Sequence, residues 1–555
     1  MNFFTQTTRE EASSQSRIKD YSKFIFATMV CLFLTQAALI FLKSMNWDEF
    51  LHFSQVYDLA NGRLVWFFQT LQSRLFFWAP AVSPDIITQL QAARFVMLGF
   101  EIVAVMMVIL LARQFVDREI ALLTGLVYLA GGYTFAHGFS YRPDPMAAAT
   151  LMTALYVLAR RDLSVWNILL TGSLVGLAGM MTVKSIFYLP CFAGIAVFRL
   201  LESRSSQGMT LLRVAAVPVV AVIVFAVVLV VHMNGIQIHQ TASASVVSKS
   251  QSFLNSGLFL RAQYTIAQAL MAPLILIGIV LLPFLMPGRS RNENIVLASL
   301  LVPLVTLIFY RNTYPYFFVF LLAPVCVAIA PSIALLARRY SVLGILPIVL
   351  LSPIKFLFLE DYDVIDRQRA LINEVHRLFP EPTGYLAYTG FISDYPRIIP
   401  HLISGIGLKS YHEKGDALIA REIERGNVGF VLADSPPVIA ALAGEHMPES
   451  FQPRDFAALR DNFIHYQGDL WLAGKLLCPA PGEQPLTLFR AGLYSLEGGV
   501  VSIDGRRMAD GETFDFAAGE HRLLYENGAC LKLWALPEVP RPKVPFDSGP
   551  VMTNF

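Results

Sequence analysis

The chain has 555 residues, of which 55% are hydrophobic and only 15% charged, where soluble domains carry about a quarter charged residues. That balance excludes an ordinary soluble protein and points to a polytopic membrane protein. A formal net charge of +2 leaves no strongly basic face, which excludes nucleic acid as the main partner.

Met1 to Ser22 is polar, with Arg17, Lys19 and Lys23 beside the first apolar run. It lacks the basic start, short apolar core and small-residue cleavage site of a secretory signal. Residues 1–22 are therefore expected to be a cytoplasmic tail, and the first run a retained anchor. Apolar runs recur as far as residue 358. Eleven spans are expected, roughly 24–42, 93–112, 119–136, 145–159, 165–182, 185–200, 213–232, 264–286, 295–310, 316–337 and 341–358. With Met1 inside, the inward turns hold Arg113 and Arg118, Arg160 and Arg161, Arg199 to Arg213, Arg289 and Arg291, and Arg338 and Arg339. This is the positive-inside pattern, and an odd number of spans puts the C-terminal region outside.

The first outer loop, 43–92, opens with Asn46-Trp47-Asp48-Glu49-Phe50. Two adjacent carboxylates at the mouth of a span must be solvated, paired or used. A transferase that moves a sugar onto a hydroxyl needs a base, and one carboxylate suffices when configuration inverts. Asp48 is the candidate base, with Glu49 beside it; together they could hold a divalent cation. A solvated loop start is the plainer alternative. The stretch Phe50 to Leu64, which contains His52, and the aromatic stretch Leu64 to Trp78 suit helices in the membrane interface, or plugging the bundle.

Three later outer segments carry chemistry. In Ser140-Tyr141-Arg142-Pro143-Asp144-Pro145, the prolines fix an extended lead into the next helix. Arg142 could grip a phosphate, while Asp144 could orient a base or act as an N-cap, with Tyr141 a further polar neighbour. Lys184, in Thr182-Val183-Lys184-Ser185, runs against the outer charge bias and so needs an anionic partner. That partner is a donor phosphate, Asp144 or Glu49. Arg311-Asn312-Thr313-Tyr314-Pro315-Tyr316 adds another basic turn, whose tyrosines suit an interfacial belt. His52, His137, His232 and His239 match no metal spacing. The sequence has no phosphate-binding glycine loop or dinucleotide fingerprint, which argues against an ATP-driven pump. The outer loop 233–262 is Ser-rich, a lid or a connector.

Beyond Lys355 the composition turns soluble. Residues 359–485 read as an α/β domain and 486–555 as a small β-rich sandwich, outside the membrane. Cys31, Cys191 and Cys326 lie in apolar runs; Cys478 and Cys530 could pair if their region is exported.

Taken in order, these segments resemble a known family. Trp47-Asp48-Glu49 with Phe53, through Ala60-Asn61-Gly62-Arg63-Leu64, resembles the first-loop signature of protein O-mannosyltransferase-like and aminoarabinose-transferase-like enzymes of the GT-C superfamily. Ser140 to Asp144 resembles the second motif, and Gly176 to Lys184 with Leu189-Pro190 the third. The resemblance is good over 24–200 and only in outline beyond. Where members commonly carry a basic-proline element, this chain has Gln69-Thr-Leu-Gln-Ser-Arg74. The resemblance implies a GT-C-like helical membrane domain that takes a polyprenyl-phosphate-linked sugar and passes it to an extracytoplasmic glycolipid, lipopolysaccharide or polysaccharide acceptor. By position, Asp48 would be the base with Glu49 its neighbour at the acceptor, and Arg142 and Lys184 would contact the donor phosphate with Asp144 a secondary polar partner; from its own basic turn Arg311 could add a further phosphate contact, and a divalent cation is a possible cofactor. The enzyme would sit in the inner membrane with its site facing the periplasm. The rival reading is a lipid or solute transporter lined by the same charges.

Overall fold

The computed structural model describes residues 21–202, 207–236, 257–400, 405–445, 447, 450–478, 482–525, 530–543 and 549–552. The expected tail (but for its last two residues), most of the Ser-rich loop and His239 fall outside these.

Each expected span is helical, wholly or in pieces. Among the described residues, six helices are long and apolar enough to cross a membrane. A seventh candidate is the pair Ala262–Met271 and Pro273–Gly288, bent by 92°. Two of the other helices are enclosed by the bundle rather than facing lipid. The helix Phe317–Ala328 is buried along its whole length, as is nearly all of the Ala-rich helix Pro143–Arg160. Tyr128 and Tyr188 each donate a hydrogen bond of 2.7 Å to a backbone carbonyl of that central helix, Val319 and Phe320 respectively. The spacing Gly172-x-x-x-Gly176 lets Val165–Met181 lie against Gln207–Met233, since a Cβ on Gly176 would come within 2.5 Å of the Ala221 carbonyl. The last long helix, Ala330–Leu359, breaks at Ser341, where φ is +63°.

The first outer loop departs from expectation. Its helix Trp47–Ala60 is not interfacial: Phe50, Phe53 and Val56 are all buried. The stretch expected to form a second helix holds only one short turn, Gln72–Leu75, followed by a 3-10 turn at Ala79–Ala81. Phe68, Leu75, Phe77 and Val82 along it are exposed, a membrane-interface pattern without the helix.

The C-terminal region docks on this loop. The helix Val364–Leu378 places Gln368 to bond both the N–H (2.9 Å) and the carbonyl (2.8 Å) of Met45. Gly390 approaches Ser54 and the Phe50 carbonyl, and the Phe391 and Phe50 rings lie 4.6 Å apart. The strands are β1 Tyr385–Leu386, β2 Phe430–Leu432, β3 Phe463–Gln467, β4 Leu470–Leu477, β5 Glu483–Leu488, β6 Gly492–Glu497, β7 Val501–Ile503, β8 Arg506–Met508, β9 Thr513–Phe516, β10 Gly519–Tyr525 and β11 Leu531–Trp534. One sheet runs β1-β2-β4-β11-β6-β9 with β3 also on β4, and a second runs β5-β10-β7-β8. Because β11 pairs with β4, the first sheet crosses the boundary expected at residue 485, so the two stretches share one sheet. Cys478 and Cys530 form a disulfide at that seam.

Candidate functional site

Asn46 caps the Trp47–Ala60 helix, its side chain accepting from the Asp48 N–H at 2.9 Å, while the Glu49 carboxylate accepts from the Asn46 N–H at 2.9 Å. This capping box separates the two neighbouring acids. Glu49 turns inward. Arg94 grips it through Nε at 2.8 Å and Nη2 at 2.6 Å, and the Tyr141 N–H adds a bond of 2.8 Å. Both side chains of this ion pair are 0% exposed. Burial alone would push the Glu49 carboxyl up; Arg94 and the three bonds more than offset this and hold it below the usual range.

Asp48 turns the other way, to an ion pair with Arg142. The Arg142 Nε lies 3.7 Å from Asp144, and Lys184 Nζ lies 2.5 Å from the other Asp144 oxygen. Asp48, Arg142, Asp144 and Lys184 thus form one chain of alternating charge, all four buried. Three separate segments supply it: the capped helix start, the Pro143-led helix start, and the 3-10 turn Val183–Tyr188, where Thr182 accepts from the Lys184 N–H. Asp144 sits in the first turn of its helix, where the helix dipole favours an anion, but Arg142 and not Asp144 is the cap residue.

Aromatic rings close the other side. The Tyr316 ring lies under the Arg142 guanidinium and 5.0 Å from Lys184 Nζ, with Phe317 at 5.7 Å from the same amine. Tyr316 belongs to the turn whose tyrosines suit an interfacial belt, yet it is buried against both cations. Arg311, on that turn, is neighboured by Tyr310 and Tyr314. Tyr141 contributes its N–H and its ring, packed edge-on to Phe53 and Phe76; its hydroxyl has no hydrogen-bond partner among the described residues.

His52 lies one turn beyond Asp48 on the same helix face. Burial first, then the charge of Arg142, lowers its pKa to about 4, so it is neutral near pH 7. Its Nδ1 is 3.1 Å from Gln72 Nε2.

The expected Asp48–Glu49 cation pair does not fit this geometry. Arg94 and two backbone N–H groups engage the Glu49 carboxylate, and Arg142 engages Asp48. Among the described residues, no three His, Cys, Asp or Glu side chains cluster as metal ligands.

No protein-family model and no curated protein matches this sequence. Solved structures do. ArnT from Cupriavidus metallidurans, bound to undecaprenyl phosphate, matches over 75% of this chain and 94% of its own, with a TM-score of 0.51 and 13% identity. An Archaeoglobus fulgidus oligosaccharyltransferase, in complex with Zn and sulfate, covers 80% of this chain and 72% of its own at a TM-score of 0.47 and 13% identity. At such identity the likeness is one of fold: this multi-pass membrane chain shares the fold of that ArnT structure.

Proposed function

We propose that this chain is a membrane glycosyltransferase that moves one sugar from a polyprenyl phosphate to a hydroxyl of an extracytoplasmic glycolipid or cell-envelope polysaccharide, with inversion. The observation that carries the reading is the buried chain Asp48–Arg142–Asp144–Lys184, assembled from three distant segments. Buried charges are costly unless paired, so four of them at one place are kept for a reason. The likeness to a structure bound to undecaprenyl phosphate supports a lipid-linked donor.

The chemistry follows from the pairing. A donor phosphate competes with Asp48 for Arg142, whose planar fork suits phosphate oxygens, and Lys184 adds a point charge. Asp48 is then released as a base. It takes the acceptor hydroxyl's proton as that oxygen bonds to the anomeric carbon, and the bond from that carbon to the phosphate oxygen breaks, leaving its electrons on the lipid phosphate. Arg142 and Lys184 stabilise the leaving charge, so the step runs on this chain's own residues without a metal. Asp144 holds both cations in place.

The Cys478–Cys530 bond supports an oxidising, extracytoplasmic location for the C-terminal domain. The basic inward turns support the same side for that domain and the site, the outer face of the membrane. Asp48→Asn should abolish release of lipid phosphate from a sugar-loaded donor while leaving undecaprenyl phosphate binding intact; retained turnover would reject Asp48 as the base. Lys184→Ala should weaken binding of that lipid.

A further inference from the structure

Next to the charged chain lies a second cluster that carries no charge. Asp48, His52 and Gln55 follow at spacings of four and three residues, so they share one face of the Trp47–Ala60 helix. Facing them is Gln72, which is fully buried. Its single amide nitrogen lies 3.1 Å from His52 Nδ1, 3.1 Å from Gln55 Oε1 and 2.9 Å from the Gln69 carbonyl. Its own Oε1 has no hydrogen-bond partner among the described residues.

The Gln72 amide supplies two N–H groups, Gln55 another two and neutral His52 one, while Gln72 Oε1 is a buried acceptor left unpaired among the described residues. The cluster thus offers a ligand donors and an acceptor together and no charge, a pattern met by hydroxyls, which both donate and accept. Two further observations tie the cluster to the reaction centre. Gln69 adopts φ +60°, a left-handed conformation disfavoured for glutamine, and this strain presents its carbonyl to Gln72. Its side chain accepts from Thr182 Oγ1 at 3.4 Å, two residues before Lys184. The amide cluster therefore borders the base through His52 and the phosphate-binding turn through Thr182, as a sugar between those two groups would require.

We infer that His52, Gln55 and Gln72 form the subsite for the hydroxyls of a neutral sugar on the donor lipid, an assignment that rests on the transferase reading above and narrows its substrate. A uronic acid would bring a carboxylate to a cluster whose own side chains, His52, Gln55 and Gln72, supply no cation. An ammonium would take up the freed Asp48 carboxylate that the acceptor needs as its base, and Asp144 is held by Lys184. A site built to pair hydroxyls rejects ligands that leave its buried groups unpaired or misplace a charge.

The test measures binding to the full-length protein in nanodiscs of three probes: undecaprenyl phosphate, the same lipid carrying glucose or mannose, and the same lipid carrying a 4-amino-4-deoxypentose. A neutral-hexose lipid should bind at least ~10-fold more tightly than the other two. Gln72→Leu should erase that preference and leave affinity for bare undecaprenyl phosphate within about twofold. Gln72→Glu keeps the shape, serves if the leucine variant does not fold, and should turn the preference toward the amino sugar. Bare lipid bound without any preference for the neutral hexose, or preferences unmoved by both variants, would overturn the subsite alone. Failure of all three lipids to bind would overturn the donor reading, and the subsite with it.

Discussion

Asp48 and Glu49 are adjacent in sequence and have opposite roles in this structure, which a pair of conservative amide substitutions separates. Glu49→Gln keeps the shape of the side chain and removes its charge. Arg94 then keeps its bonds to the Lys43 carbonyl at 2.8 Å and the Ser44 carbonyl at 2.7 Å but loses its counter-ion. Stranding one partner of a fully buried ion pair costs about 3–5 kcal/mol. Arg94→Met strands Glu49 instead and should cost a similar amount. The double variant leaves no unpaired charge, so it should be milder than the sum of the singles by roughly 2 kcal/mol or more. Asp48→Asn should cost less than Glu49→Gln, because Asp48 has one ion-pair partner and Arg142 keeps Asp144. The assay is denaturation of the purified protein by sodium dodecyl sulfate in mixed micelles, followed by far-UV circular dichroism. A Glu49→Gln protein as stable as the parent, or single costs that simply add, would refute the structural assignment of Glu49.

Replacing Cys478 by Ser opens a loop spanning 52 residues; the C-terminal domain should lose roughly 4 kcal/mol, seen as a lower melting temperature that reductant no longer changes. Asp434 accepts from the Tyr388 and Thr389 N–H groups at 2.9 Å, yet burial pushes its pKa up to about 6. The folded state therefore holds a proton that the unfolded chain releases near pH 4. Stability from this group is present below that pH and falls as pH rises through 6, by up to about 3 kcal/mol. Asp434→Asn should flatten that slope in melting temperatures measured from pH 4 to 7. Gly390→Val would drive a Cβ to 2.5 Å from Ser54 Oγ and 2.9 Å from the Phe50 carbonyl. It should loosen the C-terminal domain from the Trp47–Ala60 helix by about 1–3 kcal/mol, read as faster amide exchange in residues 47–60.

The apolar stretches and their order were legible because hydrophobic run length is set by the chain itself. Which runs reach lipid was not, since that depends on which helices the bundle surrounds: Phe317–Ala328 is as apolar as its neighbours and wholly buried. Asp48, Arg142, Asp144 and Lys184 could be named as unusual charges at span ends, and the structure draws them together. The capping box at Asn46 and Glu49 was present in the spacing but lost to the more attractive reading of two acids as one site. Arg94 carried a signal too, as a cation at the head of an apolar run that needs a partner. The partnership of Tyr316 with two cations had no local signal, because it joins the turn at residue 316 to segments more than 100 residues away. The shared sheet was hidden for the same reason: β4 and β11 are separated by most of the β-rich region.

The balance of charge in the site has a consequence for the order of events. Two acids and two cations face one another, so the resting site is neutral and each charge is spoken for. On the proposed reading, an acceptor arriving first would meet an Asp48 already paired with Arg142. A phosphate arriving first would take over Arg142 and free the Asp48 carboxylate at the moment an anomeric carbon stands beside it. Donor binding and release of the base would then be one exchange of partners at a single guanidinium. An Arg142→Lys protein keeps the charge and loses the fork that can hold two anions in turn. It should bind undecaprenyl phosphate with modest loss but turn over far more slowly, by about 10²-fold. Equal losses in binding and turnover would mean that Arg142 serves only as an anchor.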